Sequence, residues 1–212
     1  MGEIYSTTSL KRDKTFEYKR LLQLKYNSTS TSYDALYRNE QRKKYDEIKS
    51  LLEKVINAKS TLKHVLLLDA GCGTGLLLEY LYQHVMEVTH THNMIYYIGL
   101  DFSTGMINQA KKKIREESGR IMVDLILADI DFLPLRDNVF DILTAITVVQ
   151  NLPNLGHSLI ELFRVLKREC KLIISYPKKA NNKNAISQKI SCIDDAKLLS
   201  SLSKDLIWYA MK

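Results

Sequence analysis

The fold is decided by one stretch of this 212-residue chain, Lys63 to Gly75, which reads KHVLLLDAGCGTG. A short apolar run leads into an acidic residue and then into a turn with three glycines. An apolar run of this length, bounded by glycines, is typical of a strand that is buried on both faces. Glycine lets the backbone turn tightly and approach a ligand without interference from a Cβ atom. The stretch therefore predicts a parallel strand that ends in a binding loop.

Apolar strands and amphipathic helices alternate along the rest of the chain. Further strands are predicted at MIYYIGLD, VDLILAD, FDILTAITVV and KLIISYP, and closing strands at ISCIDD and DLIWYAM. Between them, helices are predicted at LLLEYLYQHVMEV, STGMINQAKKKIREE and LGHSLIELFRVLKREC. Parallel neighbours need crossover connections. We therefore expect an α/β, Rossmann-like fold with a mainly parallel seven-stranded sheet and helices on both faces.

The first sixty residues predict helices. The Ser- and Thr-rich stretch Asn27 to Ser32 breaks them into two pieces, and Asp34 is expected to cap the second. The second piece carries an apolar face at spacings of three and four, formed by Tyr45, Ile48, Leu52 and Val55. We expect residues 1–60 to form an N-terminal helical lid or extension and residues 61–212 to form the core with the binding loop.

Composition restricts the class of protein. Apolar residues make up 45% and charged residues 26%, which is typical of a folded domain rather than a disordered chain. No apolar run approaches the roughly 18 residues of a membrane span, and the N-terminus lacks the apolar region of a signal peptide. Cys72, Cys170 and Cys192 form no C-x-x-C pair. These features predict a reduced, cytoplasmic location.

Charge is distributed unevenly along the chain. The formal charge is +5 over residues 1–60, −4 over residues 61–166 and +6 over residues 167–212. Basic ends can attract an anionic partner such as tRNA, and they serve equally well as ordinary solubility charge.

Two short patterns carry less information. His90 and His92 have a spacing that could hold a metal, but no carboxylate or cysteine is near in sequence, so we predict a solvated loop and no metal site. The start of the chain matches a myristoylation signal at Gly2 and Ser6, a pattern that is short and frequent by chance.

Acidic residues end three consecutive predicted strands, at Asp69, Asp101 and Asp129. Ligands of parallel sheets bind beyond the carboxyl ends of the strands, so these acids mark the expected site. The dinucleotide signature is G-x-G-x-x-G with an acid about 20 positions later. Here the third glycine comes one residue early, and the next strand-end acid follows Asp69 by 32 positions. Both departures count against a nicotinamide oxidoreductase.

The turn from Asp69 to Gly75 resembles the first motif of class I S-adenosylmethionine-dependent methyltransferases. The segment from Leu133 to Asn154 is similar to the ubiquinone/menaquinone-type (type 11) methyltransferase domain, whose members carry LPF-x-D-x-x-FD there. With IGLDFSTGMINQAKKK, the resemblance covers about residues 60–176. It implies in-line transfer of a methyl group from S-adenosyl-L-methionine, which leaves S-adenosyl-L-homocysteine.

The resemblance also implies roles for residues. Gly71 to Gly75 would pass under the methionine part, with Asp69 orienting the loop. Asp101 would accept hydrogen bonds from both ribose hydroxyls, Phe102 would lie against the adenine, and Asp129 would accept from its amino group. The complete implied cofactor set is Asp69, Ala70, Gly71, Cys72, Gly73, Gly75, Asp101, Phe102, Asp129, Ile130, Ala145 and Ile146.

The acceptor side departs from the family. Many relatives have a His-His pair before Leu-Pro, whereas this chain has Gln150 and Asn151, so no catalytic base is named. The Asn/Asp-Pro-Pro-aromatic pattern of amino-methylating enzymes is absent. The stretch from Tyr33 to Tyr45 resembles the helical lid of such enzymes. Tyr33 and Tyr37 could close over the methionine carboxylate and the acceptor, or equally well staple the lid to the core.

Several alternatives stay open. The acceptor could be a small molecule, or tRNA or a protein, in the latter case with a small activator subunit. A non-catalytic, cofactor-binding or scaffold subunit with this fold is the alternative function. Cys72 could in principle accept a methyl group, but family members commonly carry a cysteine there, which favours a structural role. Asp141 is expected to support its loop structurally.

Overall fold

The computed structural model describes residues 3–58, 64–85, 94–114 and 120–212. Gly2, His90 and His92 lie outside these ranges, so the predictions made for them are not addressed by the fold. The strands are β1 (His64–Ala70), β2 (Met94–Asp101), β3 (Ile121–Leu127), β4 (Phe140–Ile146), β5 (Leu166–Pro177), β6 (Lys197–Ser200) and β7 (Asp205–Met211).

The helices agree with the expected alternation. They are α1 (Glu3–Thr29), α2 (Tyr33–Ala58), α3 (Leu76–Tyr80), α4 (Thr104–Lys111), α5 (Leu155–Val165) and α6 (Lys183–Ser191). One π-helical turn (Leu81–Val85) continues α3, and two short 3₁₀ turns follow β3 and β4. The predicted break between two N-terminal helices is confirmed, because α1 ends at Thr29 and α2 begins at Tyr33.

The strands form one seven-stranded sheet in the order β3-β2-β1-β4-β5-β7-β6. The first five strands in this order run parallel to one another, and β7 runs antiparallel to both β5 and β6. The predicted mainly parallel α/β sheet is thus confirmed. The strand order reverses between β1 and β4, and this reversal is where doubly wound sheets open a crevice for ligands.

Helices cover both faces of the sheet. On one face the apolar stripe of α2 packs with α3 and with strand residues such as Leu67 and Ile95. On the other face α5 and α6 pack against strand residues such as Leu68 and Leu143. The four predicted apolar residues of α2 are all buried, so this helix packs its apolar stripe firmly against α3 and the sheet. None of the helices in the described ranges has an apolar stretch of membrane-spanning length.

Several predicted boundaries are wrong. The strand predicted to run to Val149 ends at Ile146, and the helix predicted to follow β2 ends at Lys111. The helix predicted to run to Cys170 ends at Val165, because Leu166 already pairs with Phe140 of β4 and starts β5. The strand predicted at ISCIDD is the end of α6 and a turn; the edge strand β6 starts only at Lys197. In these last two places an apolar residue suits helix and strand equally, and pairing with a distant strand decides between them.

The expected cap at Asp34 is also wrong. This residue lies in the first turn of α2 rather than at its N-cap. Its carboxylate accepts a hydrogen bond from Thr74 Oγ1 at 2.5 Å and pairs with Lys113 Nζ at 2.6 Å. Asp34 therefore ties the start of α2 to the glycine-rich loop and to the end of α4 instead of capping its own helix.

Candidate functional site

A cleft lies at the carboxyl ends of the parallel strands, beside the point where the strand order reverses. The space within it is about 700 Å³, which includes the part that is open to solvent. The floor comes from the loops after β1, β2, β3 and β4, and the roof from α1 and the first residue of α2. Nine residues predicted for the cofactor or acceptor line it: Tyr33, Gly71, Gly73, Asp101, Phe102, Asp129, Ile130, Ile146 and Asn151.

The glycine-rich loop after β1 depends on left-handed backbone angles. Gly71, Gly73 and Gly75 have φ values of 80°, 55° and 76°. A Cβ atom on Gly71 would lie 2.4 Å from Val148 Cγ2, so only glycine allows this contact. A Cβ atom on Gly73 would meet no atom within 4 Å. Since Gly73 lines the cleft, its bare backbone faces open space that a ligand could fill.

Asp101 presents a fixed carboxylate to the cleft. Its Oδ2 accepts from the backbone N–H of Gly73 and its Oδ1 from that of Ser103, both at 2.9 Å. Each oxygen keeps a further lone pair for a ligand hydroxyl. The residue is only 8% exposed. Burial raises the pKa of the Asp101 carboxyl to about 6, although the backbone hydrogen bonds act to lower it.

The three strand-end acids lie at three different heights in the sheet. Asp69 pairs with Gly99, two residues before Asp101, and Asp101 pairs with Leu127, two residues before Asp129. Two residues along a strand correspond to about 6.6 Å. Asp101 and Asp129 therefore reach the cleft, whereas Asp69 lies below its floor.

Asp69 connects three strands from within the sheet. Its carboxylate accepts from Tyr97 Oη at 2.6 Å and from Thr144 Oγ1 at 2.9 Å. Burial raises the pKa of this carboxyl to about 6, and these two hydrogen bonds lower it. Asp69 thus supports the base of the loop rather than contacting the space above it.

Other predicted residues also lie outside the cleft wall. They are Ala70, Cys72, Gly75, Ala145, Tyr37 and Gln150. Burial raises the pKa of the Cys72 thiol well above its ordinary value, so this sulfur stays protonated and is a poor methyl acceptor. Gln150 Nε2 donates to the Thr147 carbonyl at 2.6 Å. Asp141 accepts from Leu66 N–H and Lys167 Nζ, each at 2.9 Å, within the sheet.

The β3 side of the cleft carries a charged group and apolar walls. Lys19 Nζ of α1 lies 2.6 Å from Asp129 Oδ2 and 2.5 Å from Asp131 Oδ2. Burial lowers the pKa of the Lys19 ammonium, but the two carboxylates raise it by more. Phe102 and Ile130 supply apolar surface beside this pair. One oxygen of Asp129 is therefore shared with Lys19.

Helix α1 closes the cleft through polar contacts that sequence reasoning missed. Gln23 Nε2 donates to the Phe102 carbonyl at 2.6 Å. Asn27 Oδ1 accepts from Ser103 Oγ at 2.7 Å and from Gly105 N–H at 2.9 Å. A Cβ atom on Gly105 would lie 3.0 Å from the Asn27 backbone, so glycine permits this close approach. The sequence did carry a signal for an inward-facing side of α1. Four residues that face the site recur at helical spacing: Lys19, Leu22, Gln23 and Tyr26.

The β4 side combines apolar walls with hydroxyl and amide groups. Ile146, Val148, Leu152 and Pro153 line it. Asn151 Nδ2 donates to Tyr26 Oη at 2.9 Å. Sequence reasoning assigned no part of this wall beyond Ile146 and Asn151.

Of the two tyrosines predicted to close over the site, Tyr33 lines the cleft and Tyr37 does not. Tyr33 lines it and accepts from Gln41 Nε2 at 3.4 Å, and burial raises the pKa of its phenol. Tyr37 packs on the Tyr33 ring with centroids 4.7 Å apart and is 43% exposed. Tyr37 therefore supports Tyr33 from outside rather than facing the space.

Comparison with known proteins identifies relatives of this chain. Residues 68–174 match the family described as "Methyltransferase domain". The chain is 30% identical over 160 residues to malonyl-[acyl-carrier protein] O-methyltransferase of Priestia megaterium, covering 74% of this chain and 51% of that protein. It is 34% identical over 106 residues to demethylmenaquinone methyltransferase of Lactiplantibacillus plantarum, covering 50% and 42%. The chain spans about half the length of these curated relatives.

A solved structure shares the fold over nearly the whole chain. Magnesium protoporphyrin IX methyltransferase of Synechocystis, determined with bound SAM, aligns with a TM-score of 0.65 and 20% identity. The alignment covers 92% of this chain and 97% of that one. At this identity the likeness concerns the fold alone.

Proposed function

Because this chain belongs to the methyltransferase domain family, we propose that it transfers a methyl group from S-adenosylmethionine to an acceptor bound at the β4 side of the cleft. The observation that carries this proposal is the pairing of Asp101 with Gly73. A buried carboxylate, fixed by backbone N–H groups, stands beside a glycine whose bare face is open to the cleft. A ribose diol and an extended methionine chain need these two features side by side.

The residues present fit this cofactor. Asp101 keeps lone pairs for two ribose hydroxyls, and Phe102 and Ile130 offer apolar walls for the adenine. Asp129 can accept from the adenine amino group while it shares its other oxygen with Lys19. When bound, S-adenosylmethionine supplies an electrophilic methyl group on its sulfonium.

The protein's own contribution is alignment and exclusion of water. In-line transfer requires acceptor, methyl and sulfur on one line, and such positioning supplies roughly 7–11 kcal/mol of barrier reduction in favourable cases. Ile146, Val148, Leu152 and Pro153 would keep water from the reacting atoms. The proposed lid, residues 1–60, would complete the enclosure over the core of residues 61–212, as the contacts of Gln23 and Asn27 suggest.

We propose further that the acceptor is an oxygen acid, such as a carboxylate, that is ionised before it binds. Among the described cleft residues the carboxylates are Asp101 and Asp129, both on the adenosine side, and no histidine is present. Burial raises the pKa values of the Tyr26 and Tyr33 phenols, so both are hydrogen-bond donors rather than bases. A site that offers hydrogen-bond donors but no group to remove a proton suits an acceptor whose oxygen is already negatively charged. The relative from Priestia megaterium is likewise named as an O-methyltransferase.

Methyl-labelled S-adenosylmethionine tests both proposals. The protein is incubated with labelled cofactor and a panel containing a carboxylic acid, a primary amine and an alcohol, and separately with fractionated metabolites, protein and RNA. Label is expected in base-labile methyl esters. Label in amines or RNA would contradict the acceptor class but not methyl transfer. Cofactor binding without any transfer would favour a non-catalytic, cofactor-binding protein. If the cofactor does not bind at all, the result would favour a scaffold subunit.

Partners remain predictions at this stage. Binding of tRNA would be supported by affinity for bulk tRNA that falls steeply with salt, as phosphate contacts require. A small activator subunit would be supported by activity that appears only when a second protein is added. A cytoplasmic location is part of the same proposal, and it rests on a sequence in which no two cysteines form a C-x-x-C pair.

Cofactor affinity is expected to depend on pH through Asp101. Its carboxylate must be ionised to accept both ribose hydroxyls well, and its pKa is about 6. Only about a tenth of such a group is ionised at pH 5, so affinity should fall roughly tenfold between pH 7 and pH 5. Titration calorimetry at a series of pH values measures this.

Unfolding measurements provide the control for that experiment. Asp69 and Asp101 have pKa values above those of an unfolded chain, so the folded state takes up protons first. Their contribution to the free energy of unfolding therefore increases as the pH falls from about 6 to about 4, and these groups do not weaken the fold at pH 5. If the folded protein binds the cofactor equally well at pH 7 and pH 5, Asp101 does not accept the ribose hydroxyls.

A further inference from the structure

Thr147, the first residue after β4, has an unusual backbone. It lines the cleft and has a φ of 60°. Four described non-glycine residues have positive φ, and Thr147 is the β-branched one among them. A branched side chain is a genuine outlier in this region. Such a residue persists only where the surrounding structure over-determines its conformation.

Hydrogen bonds to Lys44, Ser175 and Asp205 hold the hydroxyl and the backbone N–H of Thr147. Its Oγ1 accepts from Lys44 Nζ and donates to Asp205 Oδ2, both at 2.9 Å. Its backbone N–H lies 3.0 Å from the Ser175 carbonyl and 2.9 Å from Ser175 Oγ. Ser175 Oγ in turn donates to Asp205 Oδ2 at 2.8 Å. The Thr147 hydroxyl is thus occupied behind the wall of the cleft and is not available to a ligand.

The charged partners are buried completely. Lys44 and Asp205 are each 0% exposed, and Lys44 Nζ lies 3.1 Å from Asp205 Oδ1. Lys44 also lies 3.2 Å from Glu40 Oε1. Burying an ion pair costs desolvation free energy that an apolar pair of similar size avoids, so stability alone does not explain it. The pair joins α2 to the start of β7 directly behind Thr147.

The conformation of Thr147 sets the course of the residues that follow. Val148 fills the space left by the missing Cβ of Gly71. Gln150 donates to the Thr147 carbonyl, and Asn151 donates to Tyr26 of the roof. A change in the Thr147 backbone would therefore move the part of the β4 wall that follows it, from Val148 onward.

We infer that Lys44 and Asp205 are positioning residues that lock Thr147 in the left-handed conformation and thereby shape the wall that binds cofactor and acceptor. If the hydrogen bonds from Lys44 and Asp205 are lost, fewer molecules hold Thr147 in the left-handed conformation. The apparent affinity for the cofactor then falls in proportion to the fraction of molecules whose cleft can still bind it. The inference rests on the proposed cofactor binding but not on methyl transfer.

Two substitutions of Thr147 form a matched pair. Thr147→Val keeps the branched shape but loses the hydroxyl that holds it, so affinity for S-adenosylmethionine should fall about tenfold. Thr147→Gly loses the same hydroxyl, but glycine adopts a positive φ without strain. The glycine variant should bind several-fold more tightly than the valine variant. If Thr147 only fills space, the order reverses, because valine matches threonine in shape.

A second experiment needs no ligand. The double variant Lys44→Met/Asp205→Leu removes both charges together, so neither is left unpaired in the core. Amide hydrogen exchange of residues 147–151 should become at least about tenfold faster than in the wild type, with cofactor affinity reduced in parallel. Lys43→Met, an exposed neighbour on the same helix, should change neither quantity.

The outcomes separate this inference from the proposed function. Wild-type exchange in the double variant, or the reversed order of the two Thr147 variants, would overturn the positioning role. If wild-type protein fails to bind S-adenosylmethionine, the proposed function fails, while hydrogen exchange of residues 147–151 still decides whether the lock exists.

Discussion

Replacing Gly73 by valine is expected to abolish binding of S-adenosylmethionine while the chain still folds. A Cβ atom at this position would meet no protein atom within 4 Å, so a side chain built on it would enter the cleft where the methionine part is proposed to lie. The φ of 55° adds a conformational cost of roughly 1–2 kcal/mol, which a domain of this size can absorb. We expect affinity to fall by at least about 100-fold, or roughly 2.7 kcal/mol. Calorimetry with the cofactor and with S-adenosylhomocysteine measures the loss, and thermal unfolding reports the fold.

Gly156→Val is the matched control for this variant. Gly156 lies in α5, outside the cleft and without a positive φ, so the same substitution should leave cofactor affinity unchanged. Gly73→Ala should give an intermediate loss, because it projects a smaller group into the cleft. Near-normal affinity in Gly73→Val would show that the bare backbone at this position does not approach the ligand.

Replacing Asp101 by asparagine is expected to weaken cofactor binding by about 1.5–3 kcal/mol, the range for hydrogen bonds to a charged group. An amide keeps the shape but offers one acceptor oxygen, and its N–H₂ would face the backbone N–H of Gly73 or Ser103. A moderate loss of thermal stability should accompany the change. Asp124→Asn, an exposed carboxylate on β3, is the control and should behave as the wild type.

A cofactor analogue makes the Asp101 experiment specific. S-adenosylhomocysteine without its 2′-hydroxyl should bind more weakly than the intact compound in the wild type. In Asp101→Asn the difference between the two ligands should shrink, because one partner of that hydrogen bond is already gone. If removing the 2′-hydroxyl weakens binding equally in the wild type and in Asp101→Asn, a group other than Asp101 accepts the hydrogen bond from the ribose.

The strand-forming stretches show how much local pattern can determine. Apolar runs bounded by glycine or by acids predicted β1 to β5, because strands buried on both faces of a parallel sheet read as continuous apolar runs. The closing run DLIWYAM likewise predicted β7, although its antiparallel pairing could not be read from the run itself. The same logic placed the glycine-rich turn and Asp101 at one edge. The boundary between α5 and β5 could not be predicted, because Leu166 suits either element and its pairing with Phe140 decides.

How far each strand-end acid lies along the strand direction, relative to its neighbours, could not be predicted from the sequence pattern. Asp69, Asp101 and Asp129 look equivalent in sequence, yet register places Asp69 about two residues below Asp101 and Asp129 about two residues above it. Register depends on pairing between residues that are 26 or more positions apart in the chain. It is therefore a property of the assembled sheet.

Local patterns in the sequence were enough to predict the α/β fold, the glycine-rich turn and the carboxylate at the end of β2, because short-range periodicity and glycine chemistry control these features. Three other features follow only from the packed structure: α1 roofs the cleft, Lys44 is buried beside Asp205, and Thr147 adopts a left-handed backbone. Each of these joins residues more than 75 positions apart, and no local pattern records which distant groups will meet when the helices pack onto the sheet.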